Sequence, residues 1–332
     1  MINILFELEP LHWDVREPVA NFHGREDIIN DIEEKLNHSP SVVISAMGGC
    51  GKTQTAAKFV QTHRDKYDNI FWITASNLQK SLAMIVKQLL DSKDNEEITS
   101  QDNLSVLELS QRINKLTRGT NVLYIVDNVV QDDLKDLWTL KRNCASQNTR
   151  FIITTQLYQF ANNQVNQVIF IRLPDFTDKE SKTFLQENLT VASDMEIEKL
   201  SSELDQFPLC LQQAVSYIRR HNTEISLFIS NFQNCRKSIL DPKKTLSDYD
   251  KTLLTVWNFA FEKLKESQKA LKVLAMTCFM DNSCIKKETF LYANKDIIED
   301  EIELNEIVDI LCEYSLIPVS YTHLTLPTIY SV

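Results

Sequence analysis

A short run of residues suited to binding phosphate occupies Ala46–Thr53 and reads Ala-Met-Gly-Gly-Cys-Gly-Lys-Thr. Three of the chain's five glycines fall in this run, where glycine's conformational freedom lets successive backbone N–H groups converge on one anion. A lysine that directly follows such glycines can reach the outer phosphates of a nucleotide, and the next threonine hydroxyl can ligate Mg²⁺. The chemistry that these residue types suggest is therefore the binding of a nucleotide together with its metal ion.

The spacing departs at one position from the usual pattern G-x-x-x-x-G-K-S/T, because Ala46 stands at the first glycine. Alanine fits there if the residue keeps a negative φ. The same run could also form a plain strand-to-helix turn capped by Thr53. The flanking sequence favours phosphate binding, since an apolar run, Ser41–Ser45, precedes the loop and a helical pattern, Gln54–Gln61, follows it. The predicted ligand contacts in the loop are Met47, Gly48, Gly49, Cys50, Gly51, Lys52, Thr53 and Gln54.

A second candidate site residue ends the apolar segment Asn121–Asp127. Ligands of open α/β sheets bind at the carboxyl ends of the strands, so the Asp127 carboxylate is expected near the metal. An ordinary turn-forming aspartate is the alternative. We predict that Thr53 and Asp127 ligate Mg²⁺ and that Asp127 and Asn128 take the catalytic positions. Since Asn128 lacks a carboxylate and cannot act as a general base, hydrolysis that needs one there should be slow.

The elements that must position these residues alternate between short apolar runs and helical patterns. Runs that are apolar on both faces and alternate with helices indicate a parallel sheet covered on both sides, which predicts an α/β fold. The predicted strands are Val42–Ser45, Ile70–Thr74, Val122–Val126, Phe151–Thr154 and Val168–Ile171. The predicted helices are 25–36, 52–64, 80–92, 104–117 and 131–140, with an exposed loop over Ser92–Asn103.

Strand patterns stop after Leu173, and helical patterns take over. These cover 177–188, 194–205, 209–220 and 224–234, then 250–265, 267–280, 286–293 and 302–314. The predicted organisation is a lead-in segment (1–22), a nucleotide-binding domain (23–173), a helical subdomain (174–240) and a further helical unit (245–319). Residues 320–332 turn abruptly to a Thr-rich, uncharged composition, and we expect them to be a foreign or disordered tail.

Bulk composition narrows the class of protein. The 332 residues carry a net charge of −11, which argues against a general nucleic-acid or anionic-membrane surface. Seven scattered cysteines without a C-x-x-C pair indicate free thiols in a reducing compartment. No stretch approaches the ~18–20 apolar residues of a membrane span, and the first residues lack the basic region of a signal peptide. A cytoplasmic protein without a membrane partner is expected.

Six motifs, in their usual order, resemble the NB-ARC group of STAND signalling ATPases. They are Phe22–Glu26, Met47–Thr53, Val126–Val129, Arg150–Gln156, Gln206–Leu211 and Thr255–Leu264. The resemblance covers about residues 18–318. The last motif is similar to the start of the winged-helix domain in the tetratricopeptide-linked branch of the group.

The resemblance implies a P-loop NTPase sheet with strand order 5-1-4-3-2, then a helical ARC subdomain and a partial winged-helix domain. It also implies a regulatory switch in signal transduction, in which bound ADP holds a resting state and exchange for ATP opens the chain. Further ligand contacts implied in this way are adenine-side His23 and Arg25, the sensor position Gln156, and Pro208 against the adenine. The implied partners are the nucleotide and other proteins or further copies, through regions outside this chain.

Two departures from the family pattern bear on catalysis. Gln156 stands where the family has a sensor arginine that would pair with a terminal phosphate, and Asn128 replaces a second acid. The pattern therefore favours nucleotide binding over efficient turnover, with at most a slow Mg²⁺-dependent ATPase activity. The family's Met-His-Asp element should follow Val319 but is missing, and we do not assign His323 in the Thr-rich tail to that role.

Two other functions stay open at this point. One is a P-loop ATPase or kinase with real turnover, which the missing acid at Asn128 disfavours. The other is a winged-helix regulator that binds DNA, which the net negative charge disfavours but for which a group of lysines gives the winged-helix segment a basic side. That group is Lys263, Lys265, Lys269 and Lys272.

Overall fold

The computed structural model describes three long stretches of the chain, residues 10–91, 104–160 and 168–239, and several short ones. The short stretches are 255–256, 258, 261, 264–265, 267–277, 279–280, 289–291, 298–313, 316, 319–320 and 323–324. The predicted loop Ser92–Asn103 lies outside the described residues, as do most residues of the predicted helices 250–265 and 286–293. The chain divides into two compact units, Met1–Met47 with Gly51–Pro174, and Gly48–Cys50 with Asp175–Val332.

The first unit is built on a six-stranded parallel sheet, which confirms the predicted α/β class. Its strands are β1 (His12–Trp13), β2 (Ser41–Ser45), β3 (Asn69–Thr74), β4 (Val122–Val129), β5 (Thr149–Thr155) and β6 (Ile169–Arg172). Their order in the sheet is β1-β3-β4-β5-β2-β6. When the five predicted strands are numbered along the chain, their order is 5-1-4-3-2, as expected.

Helices follow the strands in the manner of a doubly wound fold. They are α1 (Glu26–His38), α2 (Lys52–His63), α3 (Leu78–Asp91), α4 (Val106–Leu116) and α5 (Leu134–Cys144), with short 3₁₀ turns at Arg64–Lys66, Ala75–Asn77 and Gln131–Asp133. The central strands are inaccessible to water along both faces, as shown by Val43, Trp72 and Ile152, each with 0% exposure. Burial on both faces explains why these strands are continuous apolar runs in the sequence.

The edge strand β1 is an addition to the predicted lead-in segment. Its two residues pair in parallel with Ile70 and Phe71 of β3. The Ile70 N–H donates to the Leu11 carbonyl (3.0 Å), and the Leu11 N–H donates to the Asn69 Oδ1 atom (3.1 Å). A strand of two residues is too short to show a hydrophobic pattern in the sequence. It is recognised as a strand only through its pairing with β3.

The second unit is helical in its best-described part, where four helices match the predicted ones closely. They are α6 (Asp178–Asn188), α7 (Asp194–Glu203), α8 (Pro208–His221) and α9 (Ile225–Ile239). Capping boxes begin two of them, because Thr177 with Glu180 and Ser193 with Glu196 exchange side-chain and backbone hydrogen bonds.

Farther along the second unit, the described residues include α10 (Gln268–Thr277) and α11 (Glu301–Glu313). Apolar side chains of both helices share one buried cluster, against which Tyr217 of α8 packs. A short antiparallel pair joins β7 (Val319–Ser320) to β8 (His323–Leu324). Three positions of the predicted tail, Ser320, His323 and Leu324, therefore belong to this strand pair.

Two predictions from composition concern the thiols and the helix lengths. The five cysteines in the described part of the chain are free, and Cys50, Cys144 and Cys210 are buried. Burial raises the pKa of the Cys144 thiol to about 12, which keeps it protonated. Over the residues described, every helix is too short or too polar to cross a bilayer.

Candidate functional site

The glycine-rich loop joins β2 to α2 and depends on glycine at two positions. Gly49 has φ +84°, and Gly51, which caps α2, has φ +94°. Residues that carry a side chain are strained in this left-handed backbone conformation. A Cβ atom at Gly49 would also lie 2.8 Å from the Phe207 ring and 3.0 Å from Leu209, whereas one at Gly51 would meet nothing within 4 Å. Ala46 keeps a negative φ, so alanine costs no strain at the first glycine position.

Lys52 is the first residue of α2 and is 95% buried, with 5% of its surface exposed. Its Nζ atom donates to the carbonyl oxygens of Ala46 (2.9 Å) and Met47 (2.7 Å). A buried ammonium needs such acceptors, and carbonyl oxygens are weaker partners than a phosphate would be. The loop thus surrounds the Lys52 ammonium, and an anionic ligand could replace its two carbonyl partners.

Thr53 and Asp127 meet at the carboxyl edge of the sheet. The Thr53 hydroxyl donates to Asp127 Oδ1 at 3.0 Å, and the Thr154 hydroxyl donates to the same oxygen. The strand order brings these groups together, because β5, which carries Thr154, lies between β4, which carries Asp127, and β2, which leads through the loop to Thr53. Asp127 is 2% exposed, so its carboxylate is held in one position by donors rather than by water.

The pair of Thr53 and Asp127 fits a magnesium ion that is shared with a phosphate ligand. Mg²⁺ prefers oxygen ligands and is usually held by one or two carboxylates, substrate phosphates and water. Within the described stretches there is no group of three or more His, Cys, Asp or Glu side chains that could hold a metal by themselves. The oxygen pair at this edge therefore fits a metal that arrives with its ligand.

Arg16, from the segment before α1, is a site residue that sequence reasoning missed. Its Nη1 atom lies 3.2 Å from Asp127 Oδ2, and its Nη2 atom donates to the Thr74 hydroxyl at 3.2 Å. The guanidinium carbon lies 5.5 Å from the centre of the Trp72 ring. A single arginine in an irregular stretch has no local pattern, so only the three-dimensional structure could identify it.

Hydrogen bonds on both sides of Arg16 hold the N-terminal segment Leu11–Phe22 against the rest of the first unit. Before it, β1 pairs with β3. After it, the Val19 N–H donates to the Gln54 Oε1 atom at 2.8 Å. Gln54, predicted as a ligand contact, thus holds this segment in place.

Asn128 lies in a bulge of β4 rather than in a turn after the strand. The register between β4 and β5 shifts between Val126 and Val129, and Asn128 has φ +62°. Its backbone N–H donates to the Thr154 hydroxyl at 2.8 Å. Asparagine is one of the few residues that adopt this conformation readily, and the bulge carries β4 three residues beyond its predicted end.

The remaining predicted residues lie on several elements. His23 is half-buried and Arg25 is buried with φ +71°, both directly before α1. Gln156 follows β5 and is half-buried. Pro208 is the first residue of α8 in the second unit.

Cys50 lies at the tip of the loop, which groups with the second unit. Its Sγ atom is 3.5 Å from Asp175 Oδ1, a contact of a thiol with a carboxylate in the same unit.

Of the predicted residues, the structure brings Thr53 and Asp127 into direct contact, and it adds Thr154 and Arg16 to them.

Comparison with known proteins gives one family and two informative relatives. The model of the NB-ARC domain family matches residues 25–195, which is more than half of the chain. A nucleotide-binding leucine-rich repeat (NLR)-like protein of the fungus Hyaloscypha variabilis is 25% identical over 244 residues. That match covers 65% of this chain and 24% of the relative, so the chain spans about a quarter of its length.

A solved structure shares the fold over nearly the whole chain. It is a Signal Transduction ATPase with Numerous Domains (STAND) protein with a tetratricopeptide repeat sensor from Pyrococcus horikoshii, with a TM-score of 0.61 and 16% identity. The likeness covers 96% of this chain and 43% of that one. The family match spans α1, the glycine-rich loop, Asp127 and strands β2–β6, and the chain therefore belongs to the NB-ARC family of P-loop NTPases.

Proposed function

We propose that this chain is a regulatory switch that binds ADP and ATP with Mg²⁺ at the glycine-rich loop and hydrolyses ATP slowly. The observation that carries the proposal is the 3.0 Å contact between Thr53 and Asp127, next to a glycine-rich loop that ends at Gly51, the left-handed cap of α2. A hydroxyl at a helix start, a carboxylate at the carboxyl edge of the sheet and a buried lysine are the groups that hold a metal–nucleotide complex. Membership of the NB-ARC family supports the same function.

Each residue has a distinct role in the proposed site. The backbone N–H groups of the loop and the start of α2 would bind the phosphates, and Lys52 would exchange its two carbonyl partners for phosphate oxygens. Thr53 and Asp127 would hold Mg²⁺, which neutralises phosphate charge. His23 and Arg25 on the adenine side, and Pro208 against the base, are assigned by family resemblance.

Slow turnover is proposed because the two groups that would promote it are replaced. Asn128 offers an amide where a carboxylate could activate water, and its own conformation is set by the bulge in β4. Gln156 is neutral, so it cannot stabilise the charge of the terminal phosphate as an arginine does. A site that binds well and reacts slowly is suited to holding one state for a long time.

The proposed role of the whole protein goes beyond the part that this chain represents. The NLR-like and STAND relatives are both longer, and the chain spans 24% and 43% of them. We propose signalling through protein partners or self-assembly by regions outside this chain, in the cytoplasm. In this reading α6–α9 form the ARC subdomain, and α10, α11 and the β7–β8 pair belong to a winged-helix domain.

Lysine substitution provides the direct test of the loop. Lys52→Met keeps the packing of the aliphatic stem but removes the ammonium, so binding of a fluorescent ADP analogue should weaken by about tenfold or more. Lys58→Met is the matched control, because Lys58 lies on the same helix and donates to the Gln61 side chain. It should leave the affinity unchanged.

A thermal unfolding curve for each variant shows whether the fold is intact. If Lys52→Met is folded and binds the ADP analogue as tightly as the unsubstituted protein, the assignment of the loop is wrong. If Lys52→Met and Lys58→Met both bind the ADP analogue as tightly as the unsubstituted protein, the nucleotide binds elsewhere.

A further inference from the structure

We propose that Arg16 is a built-in counter-ion that competes with Mg²⁺ for Asp127, so that Arg16 sets how much Mg²⁺ the site requires. The inference rests on the proposed function and adds a form of regulation to it. Arg16, Thr53 and Asp127 all belong to the first unit of the chain.

Hydrogen bonds occupy both oxygens of the Asp127 carboxylate. Oδ1 accepts from Thr53 and Thr154, and Oδ2 accepts from Arg16 at 3.2 Å. The side chain of Asp127 is 3% exposed, so the arginine, rather than water, neutralises its charge. A divalent ion at this carboxylate would be within a few ångströms of the guanidinium.

Electrostatic repulsion makes the two cations alternatives. Like charges that share one nearly buried carboxylate repel strongly, because little water is present to screen them. Arg16 must therefore shift away from Oδ2, or Mg²⁺ must bind more weakly. Either way, the arginine raises the Mg²⁺ concentration at which the site fills.

Neighbouring groups hold Arg16 in place without making it rigid. The Thr74 hydroxyl accepts from its second nitrogen, and the Trp72 ring lies 5.5 Å from the guanidinium carbon. The side chain is 31% exposed, which leaves it a route towards solvent. The segment around it is anchored by β1 and by the Val19–Gln54 hydrogen bond, so the arginine can move while its backbone stays.

The test measures the Mg²⁺ dependence of binding of a fluorescent ADP analogue. Binding is titrated in EDTA and at increasing Mg²⁺ concentrations for the unsubstituted chain and for Arg16→Gln. The half-saturating Mg²⁺ concentration should fall by about three- to tenfold in Arg16→Gln, since the competing cation is gone. The affinity in EDTA should change by less than about twofold, because the phosphate-binding groups of the loop remain.

Two further variants make the result specific. Arg64→Gln removes an equal charge that also touches the N-terminal segment, since Arg64 donates to the His12 ring at 2.9 Å and lies 3.8 Å from Glu17. It should leave the Mg²⁺ requirement unchanged. Arg16→Lys keeps a positive charge beside Asp127 and should give a value between those of the unsubstituted chain and Arg16→Gln.

The outcomes separate this inference from the proposed function. An unchanged or higher Mg²⁺ requirement in Arg16→Gln, with ADP binding in EDTA intact, overturns the counter-ion role alone. A fall of the same size in Arg64→Gln would also overturn it, since the effect would then come from the segment or the net charge. If the unsubstituted chain binds no ADP analogue in either condition, the proposed function fails and this inference fails with it.

Discussion

Asp127 is a buried carboxylate with a structural role and a proposed role in binding the metal. Its two oxygens accept from Thr53, Thr154 and Arg16, and together these donors offset the cost of burying a charge. The same arrangement places a hydroxyl and a carboxylate where a metal–phosphate ligand would need them. The donors that stabilise the buried Asp127 are therefore the neighbours of the proposed metal site.

Lys141 illustrates a buried charge with no evident role in the site. It lies on α5 at 9% exposure, with its ammonium 5.9 Å from the centre of the Trp138 ring, and burial lowers its pKa from 10.5 to about 8. The unfolded chain binds the proton more tightly, so between pH 8 and 10.5 the free energy of unfolding rises with pH. Below pH 8 the folded state carries the full cost of the buried charge.

We expect Lys141→Met to raise the free energy of unfolding at pH 7 by about 1–3 kcal/mol, because one unit of pKa shift is worth about 1.4 kcal/mol. It should also remove the rise in stability above pH 8. Urea denaturation across this pH range measures both effects. Lys115→Met, at an exposed position on α4, is the control and should have little effect. Parallel pH profiles for the unsubstituted chain and Lys141→Met would contradict the prediction.

At the scale of elements, the bulge in β4 sets the backbone conformation of the residue that follows Asp127. The shift of register at Val126–Val129 gives Asn128 a left-handed backbone, and Thr154 supports both the bulge and the carboxylate. Aspartate adopts this conformation nearly as readily as asparagine. The bulge therefore does not by itself prevent an acid at this position.

Asn128→Asp should raise the rate of ATP hydrolysis by about tenfold or more, since it supplies a carboxylate that can act as a general base. Phosphate release under steady-state conditions measures the change. The control is Asn30→Asp, the same substitution at an exposed position on α1. If the folded Asn128→Asp variant hydrolyses ATP no faster than the unsubstituted chain, the missing acid is not what limits turnover.

Across the whole molecule, the sequence allowed prediction of those elements whose structure depends on neighbouring residues in the chain. The central strands are buried on both faces, so Val42–Ser45 and Ile70–Thr74 could be found as apolar runs. Residues whose structure depends on distant partners could not be found. β1 exists through its pairing with β3, and Arg16 joins the site through an ion pair that spans 111 positions of sequence.

The same distinction applies to the candidate site. The glycine cluster, Lys52 and Thr53 are contiguous, so their spacing and the runs on either side indicated a strand-to-helix loop, which the structure confirms. Asp127 could be predicted as a site residue because it ends the apolar run Asn121–Asp127, although β4 itself continues to Val129. The positive φ of Asn128 and the support from Thr154 come from the registration of β4 with β5, which no single stretch of sequence encodes.

A switch that holds its nucleotide should retain it through purification. Denaturing protein that was purified without added nucleotide, and identifying what is released, tests this retention directly. We expect close to one ADP per chain from the unsubstituted protein, and none from Lys52→Met. An empty site in the unsubstituted chain, together with rapid multiple-turnover hydrolysis of added ATP, would contradict it.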